Sequence, residues 1–191
     1  PKIDSARRSL TALNPGVKVI TYGERLNASN VLEIVRDYDV VISAVDNFAA
    51  RYVVNDACVI LRKPLVEAGV LRFDGMVMTI IPFKGPCYRC VFPSPPPPGT
   101  VPTCQEAGVL GPVPGIMGAI EALEAMKLLL GAGESLCGRL LLMDGLEMKF
   151  REVTIERNPK CPVCGDSPVI TEPVEYETAC NPAGADAGPW H

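Results

Sequence analysis

Two pairs of cysteines constrain this chain most: Cys87-Tyr88-Arg89-Cys90 and Cys161-Pro162-Val163-Cys164 share the C-x-x-C spacing, and Gly165 follows the second at once. Two thiols three residues apart on a tight turn can present both sulfurs to one ion, and four thiolates complete a tetrahedral zinc site with no open position. The fold must then carry residue 161 back to residue 87. A redox C-x-x-C and unrelated buried cysteines are the competing readings. Eight cysteines would also suit a disulfide framework, but no signal-peptide pattern opens the sequence, so reduced thiolates in the cytoplasm fit the pairs better. Zinc held by four protein ligands is structural and leaves the chemistry to other residues. The single histidine, His191, excludes histidine-based acid–base catalysis and Ser-His triads.

Hydrophobic periodicity alternates between helix and strand. Ile3, Ala6, Leu10 and Leu13 have helical spacing, and Asn14-Pro15-Gly16 ends that helix. Val17–Tyr22 reads as a strand, Ser29 as the cap of a short helix through Val35, and Asp39–Ala44 as a buried parallel strand. A helix over Asn47–Leu61 and a strand over Pro64–Val70 repeat the rhythm, which predicts an α/β sheet with crossover helices. Gly75–Ile81 is a strand with no helix before it, so the sheet is expected to be mixed. Further on come a proline-rich exposed loop over Pro93–Pro102, a helix over Ile116–Leu130 closed by Gly131, and two strands over Arg139–Met143 and Met148–Ile155. Residues 1–166 are expected to form one domain and residues 167–191 a disordered tail.

Asp46 and Asn47 fall where the predicted strand over Val40–Ala44 gives way to a helix. Ligands of open α/β sheets bind at that edge. A carboxylate there can hold magnesium on a nucleotide, Asn47 and the first helical N–H groups can receive phosphate oxygens, and Arg51 lies one turn further along. The plainer reading makes Asp46 a helix cap and Arg51 a solvated charge. No G-x-G-x-x-G occurs anywhere, so the usual phosphate cradle is missing, and the abrupt opening at Pro1-Lys2 reads as an N-terminal truncation.

Taken together, Pro1-Lys2 before a helix, Ser43-Ala44-Val45-Asp46-Asn47 followed by Arg51, the two cysteine pairs, and Thr103-Cys104-Gln105-Glu106-Ala107-Gly108-Val109 resemble the ThiF/MoeB/HesA family, from Pro1 to about Gly165. The resemblance implies a Rossmann-like, doubly wound mixed sheet with helices on both faces, and a homodimer. It implies that ATP and Mg2+ adenylate the C-terminal Gly-Gly carboxylate of a ubiquitin-like sulfur-carrier protein, which a separate sulfur donor, a cysteine desulfurase or a rhodanese, then serves. Lys2 matches the lysine on the ATP phosphates, Asp46 the aspartate that holds magnesium, and Cys104 a cysteine that in parts of the family links covalently to the carrier or its sulfur. Cys104 is equally read as a small loop residue. The glycine-rich loop, the acidic ribose ligand and an arginine preceding Lys2 are absent, so this segment alone is expected to bind ATP poorly. Cys58, Cys137 and Cys180 carry no motif, and Cys58 is expected in the core.

Other classes fare worse. A balance of 18 basic and 22 acidic residues with no basic stripe argues against a nucleic-acid partner. The longest apolar stretches, such as Leu128–Leu130, fall far short of the ~20 residues of a membrane-spanning helix. A nicotinamide-dependent oxidoreductase lacks its glycine fingerprint here. A non-catalytic, zinc-held module that docks a ubiquitin-like protein is the main alternative, and adenylation of a peptide or of a tRNA stays open.

Overall fold

A computed structural model describes residues 1–97, 100 and 107–176 of the chain. In chain order the elements are α1 (Lys2–Leu13), α2 (Val31–Arg36), β1 (Val41–Ser43), α3 (Phe48–Ile60), β2 (Leu65–Leu71), β3 (Asp74–Ile80), α4 (Tyr88–Val91), α5 (Pro112–Leu130), β4 (Arg139–Asp144) and β5 (Lys149–Thr154). The five strands form one sheet in the order β1-β2-β3-β4-β5. β1 and β2 pair in parallel through the crossover helix α3, and every later pair is antiparallel. The sheet is therefore mixed, as expected.

Helices cover both faces. Successive strand residues point to opposite sides of a sheet, and β2 divides its apolar residues accordingly: Leu65 joins Val31, Tyr52, Val53, Met78 and Ile80 under α2 and α3, while Val66 and Ala68 join Val77, Val113 and Met117 under α5. Burial on both faces explains why Leu65-Val66 reads as a continuous apolar run. Gly75 permits the close approach of α5 to β3, because the Met117 thioether occupies the space a Cβ would take there.

Several local expectations are corrected. Val17–Tyr22 forms no strand; Val17 and Ile20 are about half exposed, at 54% and 51%. Alternation creates a strand only where a neighbour accepts its hydrogen bonds, and among the described residues none pairs with this segment. The cap of α2 is Asn30, while Ser29 donates its N–H and hydroxyl to Asn27 Oδ1 at 2.9 and 2.7 Å. Pro112 at the first turn starts α5 before Ile116, and Gly131 closes it in the left-handed region at φ 60° as expected.

Part of the segment after residue 166 makes contacts with the domain. Val169 and Ile170 N–H both donate to the Pro162 carbonyl at 2.9 Å. Glu175 accepts from Ala28 N–H at 2.8 Å, and the Tyr176 ring lies 5.4 Å from that of Tyr52. Residues 167–176 are neither helix nor strand, and Val169, Ile170, Glu175 and Tyr176 make these contacts; residues 177–191, with Cys180 and His191, lie outside the described residues.

Candidate functional site

The C-terminal end of β1 runs through Ala44, Val45 and Asp46 into α3. Asn47, not Asp46, is the helix cap: its backbone is extended at φ −135°, ψ 149°, and its Oδ1 accepts from Ala50 N–H at 2.8 Å. That satisfies one of the unpaired N–H groups of the first turn. Asp46 is therefore free of the capping task. Its carboxylate is exposed and, among the described residues, meets only Asn47 Nδ2, at 3.4 Å, beside the positive end of a 13-residue helix. Lys2 opens α1 and is exposed, with no ion pair among the described residues. Cys104 lies outside the described residues. Gly108 and Leu110 lie beside the β2–β3 turn, where Arg72 N–H donates to the Gly108 carbonyl at 3.2 Å and Leu110 N–H to that of Arg72 at 3.3 Å.

Arg51 points inward instead of offering a free cation to a phosphate. Its Nη1 donates to Glu67 Oε1 and, at 2.6 Å, to the Ala68 carbonyl, while Nη2 donates to the Val45 carbonyl at 3.0 Å. Both partners of the ion pair are buried. The Arg51 contact with Glu67 was not expected, and neither was the nearness of Glu121 on α5. Burial pushes Glu67 up to about 7 against the pull of the Arg51 guanidinium. Burial, followed by the Glu67 charge, likewise pushes Glu121 up to about 7. Glu67 Oε2, Glu121 Oε1 and the hydroxyl of Ser43, the β1 residue in register with Glu67, are buried without a hydrogen-bond partner among the described residues. A glutamate inside the apolar run Leu65–Ala68 was the available signal.

The cysteine pairs meet as predicted. Sγ of Cys87 is 3.9 Å from Cys90 and 3.6 Å from Cys161, Cys90 is 3.4 Å from Cys164, and all four sulfurs lie within 4.8 Å of one another. A tetrahedral ion with bonds of about 2.3 Å requires sulfur–sulfur edges of about 3.8 Å, which this cluster fits. Each knuckle is a backbone turn: Cys90 N–H donates to the Cys87 carbonyl and Gly165 N–H to that of Cys161, both at 3.0 Å. Asn158 N–H points to Cys90 Sγ at 3.4 Å, as a thiolate would favour. Four convergent sulfurs, three of them in buried residues, can hold a metal ion and leave it no open position. Cys58 is wholly buried in the core, as expected, and its thiol is pushed up to about 12 by that burial and the Glu67 charge, which disfavours the reactive thiolate.

Comparison with known proteins follows the same lines. Residues 1–163 match the ThiF family. The chain is 54% identical over 185 residues to the sulfur carrier protein adenylyltransferase of Thermus thermophilus, spanning 94% of this chain and 68% of that protein. It is 46% identical over 186 residues to the adenylyltransferase and sulfurtransferase MOCS3-1 of Drosophila pseudoobscura pseudoobscura, spanning 97% of this chain but only 41% of that protein. Among solved structures, Escherichia coli MccB with MccA-N7isoASN superposes with a TM-score of 0.74 at 22% identity, over 86% of this chain and 52% of that one. MccB with ATP gives a TM-score of 0.72 at 22% identity over 86% and 51% of the two chains. At that identity the likeness is one of fold. The chain spans about half the length of these structures.

Proposed function

This chain belongs to the ThiF family, and we propose that the protein it represents adenylates the C-terminal Gly-Gly carboxylate of a ubiquitin-like sulfur-carrier protein, using ATP. The observation that carries the proposal is the free carboxylate of Asp46, left unused by the helix that Asn47 caps, at the C-terminal edge of a parallel strand pair. The name of the Thermus relative supports the substrate class.

A carboxylate is a poor electrophile at carbon. In the proposed reaction a carrier carboxylate oxygen attacks the α-phosphorus of ATP, the bond to the bridging oxygen breaks, and pyrophosphate leaves with that electron pair. The product is a mixed anhydride whose AMP is a good leaving group for a later sulfur nucleophile. Positioning and charge neutralisation do most of the work in such a transfer. Asp46 would hold the magnesium that screens the phosphates, Lys2 contacts phosphate oxygens, and Asn47 with the first N–H groups of α3 forms the adjoining wall. Arg51 serves from beneath, through Val45. Cys104 is the residue proposed to capture the activated carrier: its thiolate would attack the acyl carbon of the adenylate, the bond to AMP would break, and AMP would leave with that electron pair, giving a thioester; a desulfurase or a rhodanese is the sulfur donor proposed for the later step.

Zinc is the ion proposed for Cys87, Cys90, Cys161 and Cys164, because four thiolates at tetrahedral spacing suit it and a closed shell suits a structural role. No helix among the described residues is long and apolar enough to cross a membrane. We place the protein in the cytoplasm as a homodimer, with the exposed side of α5 as the contact.

The test is ATP–pyrophosphate exchange by the intact protein, with and without a Gly-Gly-ending carrier, comparing wild type with Asp46→Ala. Carrier-dependent exchange lost in the variant supports adenylation and the magnesium role together. A folded, metal-loaded wild type inactive with every carrier offered would favour a docking module.

A further inference from the structure

The turn bearing Asp46 is tied on both sides. On one, the Val45 carbonyl accepts from Arg51 Nη2 at 3.0 Å; on the other, Asn47 Oδ1 accepts from Ala50 N–H at 2.8 Å. The Arg51 guanidinium that holds Val45 is itself held by Glu67 and by the Ala68 carbonyl, both on β2. A single planar group thus joins the turn to the neighbouring strand. Its five donors in a rigid fork permit this; a point-like ammonium would have to choose among the acceptors.

We propose that Glu67 is a positioning residue for the adenylation site: by orienting Arg51 it fixes the Val45–Asp46–Asn47 turn and thereby sets the Asp46 carboxylate for magnesium. This rests on the adenylation reading above. Glu67 is 1% exposed and Arg51 9%, so neither is ordered for solubility, and the pair sits where burying two charges is unfavourable unless their geometry is used. Carboxylates that touch no metal yet orient its ligands commonly change affinity for the ion.

Glu67 shares its face of the sheet with Ser43 of β1, Arg51 and Cys58 of α3 and Tyr88 of α4, and its charge also reaches Glu121 of α5 on the opposite face. Arg51 is the only cation in this set, and Glu121 adds a second carboxyl. A proton taken up by Glu67 as pH falls removes the charge that orients Arg51. Loosening of the Asp46 turn should follow the same pH range.

The experiment uses the intact protein with wild type, Glu67→Gln and Arg51→Lys. Pyrophosphate exchange is measured against magnesium concentration from pH 6 to pH 8, and amide hydrogen exchange of the 44–48 segment is followed without nucleotide. In Glu67→Gln the magnesium needed for half-maximal exchange should rise by about 10-fold with the saturated rate nearly unchanged. In wild type that requirement should rise as pH falls through 7; in the variant it should be flat, and amides of the 44–48 segment should exchange faster. A folded Glu67→Gln protein with the wild-type magnesium curve and wild-type amide protection would overturn the proposal. So would a lower saturated rate with an unshifted magnesium curve, which is what mere structural damage gives. If Glu67→Gln fails to fold, Arg51→Lys, which cannot reach Glu67 and Val45 together, decides the question by the same two readouts. Absence of exchange in wild type would sink the adenylation reading alone, because amide protection still tests the clamp.

Discussion

Arg89 grips both carboxylate oxygens of Asp56, with Nε donating to Oδ1 at 2.8 Å and Nη2 to Oδ2 at 2.7 Å. The pair is buried and ties the first cysteine knuckle to α3. The guanidinium also lies 4.7 Å from the Tyr52 ring centre and 5.4 Å from that of Tyr176, and donates to the Tyr176 hydroxyl at 2.7 Å. Removing one charge leaves the other buried alone, so Asp56→Asn should destabilise the chain by about 3–5 kcal/mol. Tyr176→Phe, losing one charge-assisted hydrogen bond, should cost about 1–3 kcal/mol. Urea unfolding measures both, and a Tyr176→Phe midpoint equal to wild type would mean the 167–176 segment is not anchored there.

The four sulfurs should bind one zinc ion per chain, read by elemental mass spectrometry on purified protein. Cys161→Ser should lose the ion and lower the melting temperature, and a strong chelator should do the same to wild type. Gly165→Ala should act in that direction without touching a ligand, since its Cβ would collide with the Cys161 carbonyl and lie 2.6 Å from that of Pro159. Full zinc content in Cys161→Ser would show that the ion sits elsewhere.

Stability should fall as pH rises through 7, and Glu121 is one cause. Its carboxyl is pushed up to about 7 by burial and the Glu67 charge, with Arg51 opposing. The unfolded chain releases this proton near 4.3, so the folded state binds more protons between roughly pH 4 and pH 7. The stabilisation is complete below that window and is lost above it. Glu121→Gln should therefore gain about 1–3 kcal/mol over wild type at pH 8 and almost nothing at pH 4. An equal gain at both pH values would remove ionisation as the explanation.

Leu123, Met126, Leu129 and Leu130 are 58%, 56%, 60% and 72% exposed on α5. A stripe of this kind is interface material. Leu123→Glu combined with Leu130→Glu should shift the protein toward monomer in sedimentation velocity, with far-ultraviolet circular dichroism unchanged. A wild type that sediments as a monomer at tens of micromolar would refute the homodimer.

What was legible in the sequence was local or chemically distinctive. Gly131 marked the end of α5, the β2–β3 changeover announced itself by adjacent strand patterns, and four cysteines in two pairs announced their meeting across a long separation because few other uses suit such spacing. What escaped depends on partners. Val17–Tyr22 alternates like a strand but has no neighbour to pair with, and Asn30 displaced Ser29 as a cap by one residue. Arg51 reads as a cation for the nucleotide site, with a solvated surface charge as the plainer reading, because nothing in its own helix reveals that Glu67, a crossover away, faces it. The same holds for Tyr176: a lone aromatic in a polar stretch gives no sign of the guanidinium it covers.

The segment between Cys90 and Cys161 contains α5, β4 and β5. With an ion bound to all four sulfurs, that segment becomes a polymer ring of some seventy residues. Ring closure of this size removes conformational entropy from the unfolded ensemble, equivalent to roughly 4 kcal/mol if the metal acts as a covalent link would. Unlike a covalent link, it opens when the ion departs or a thiolate is oxidised. The persistence of two of the sheet's five strands is thereby coupled to the free metal concentration and redox state of the surroundings, not to the amino-acid sequence alone.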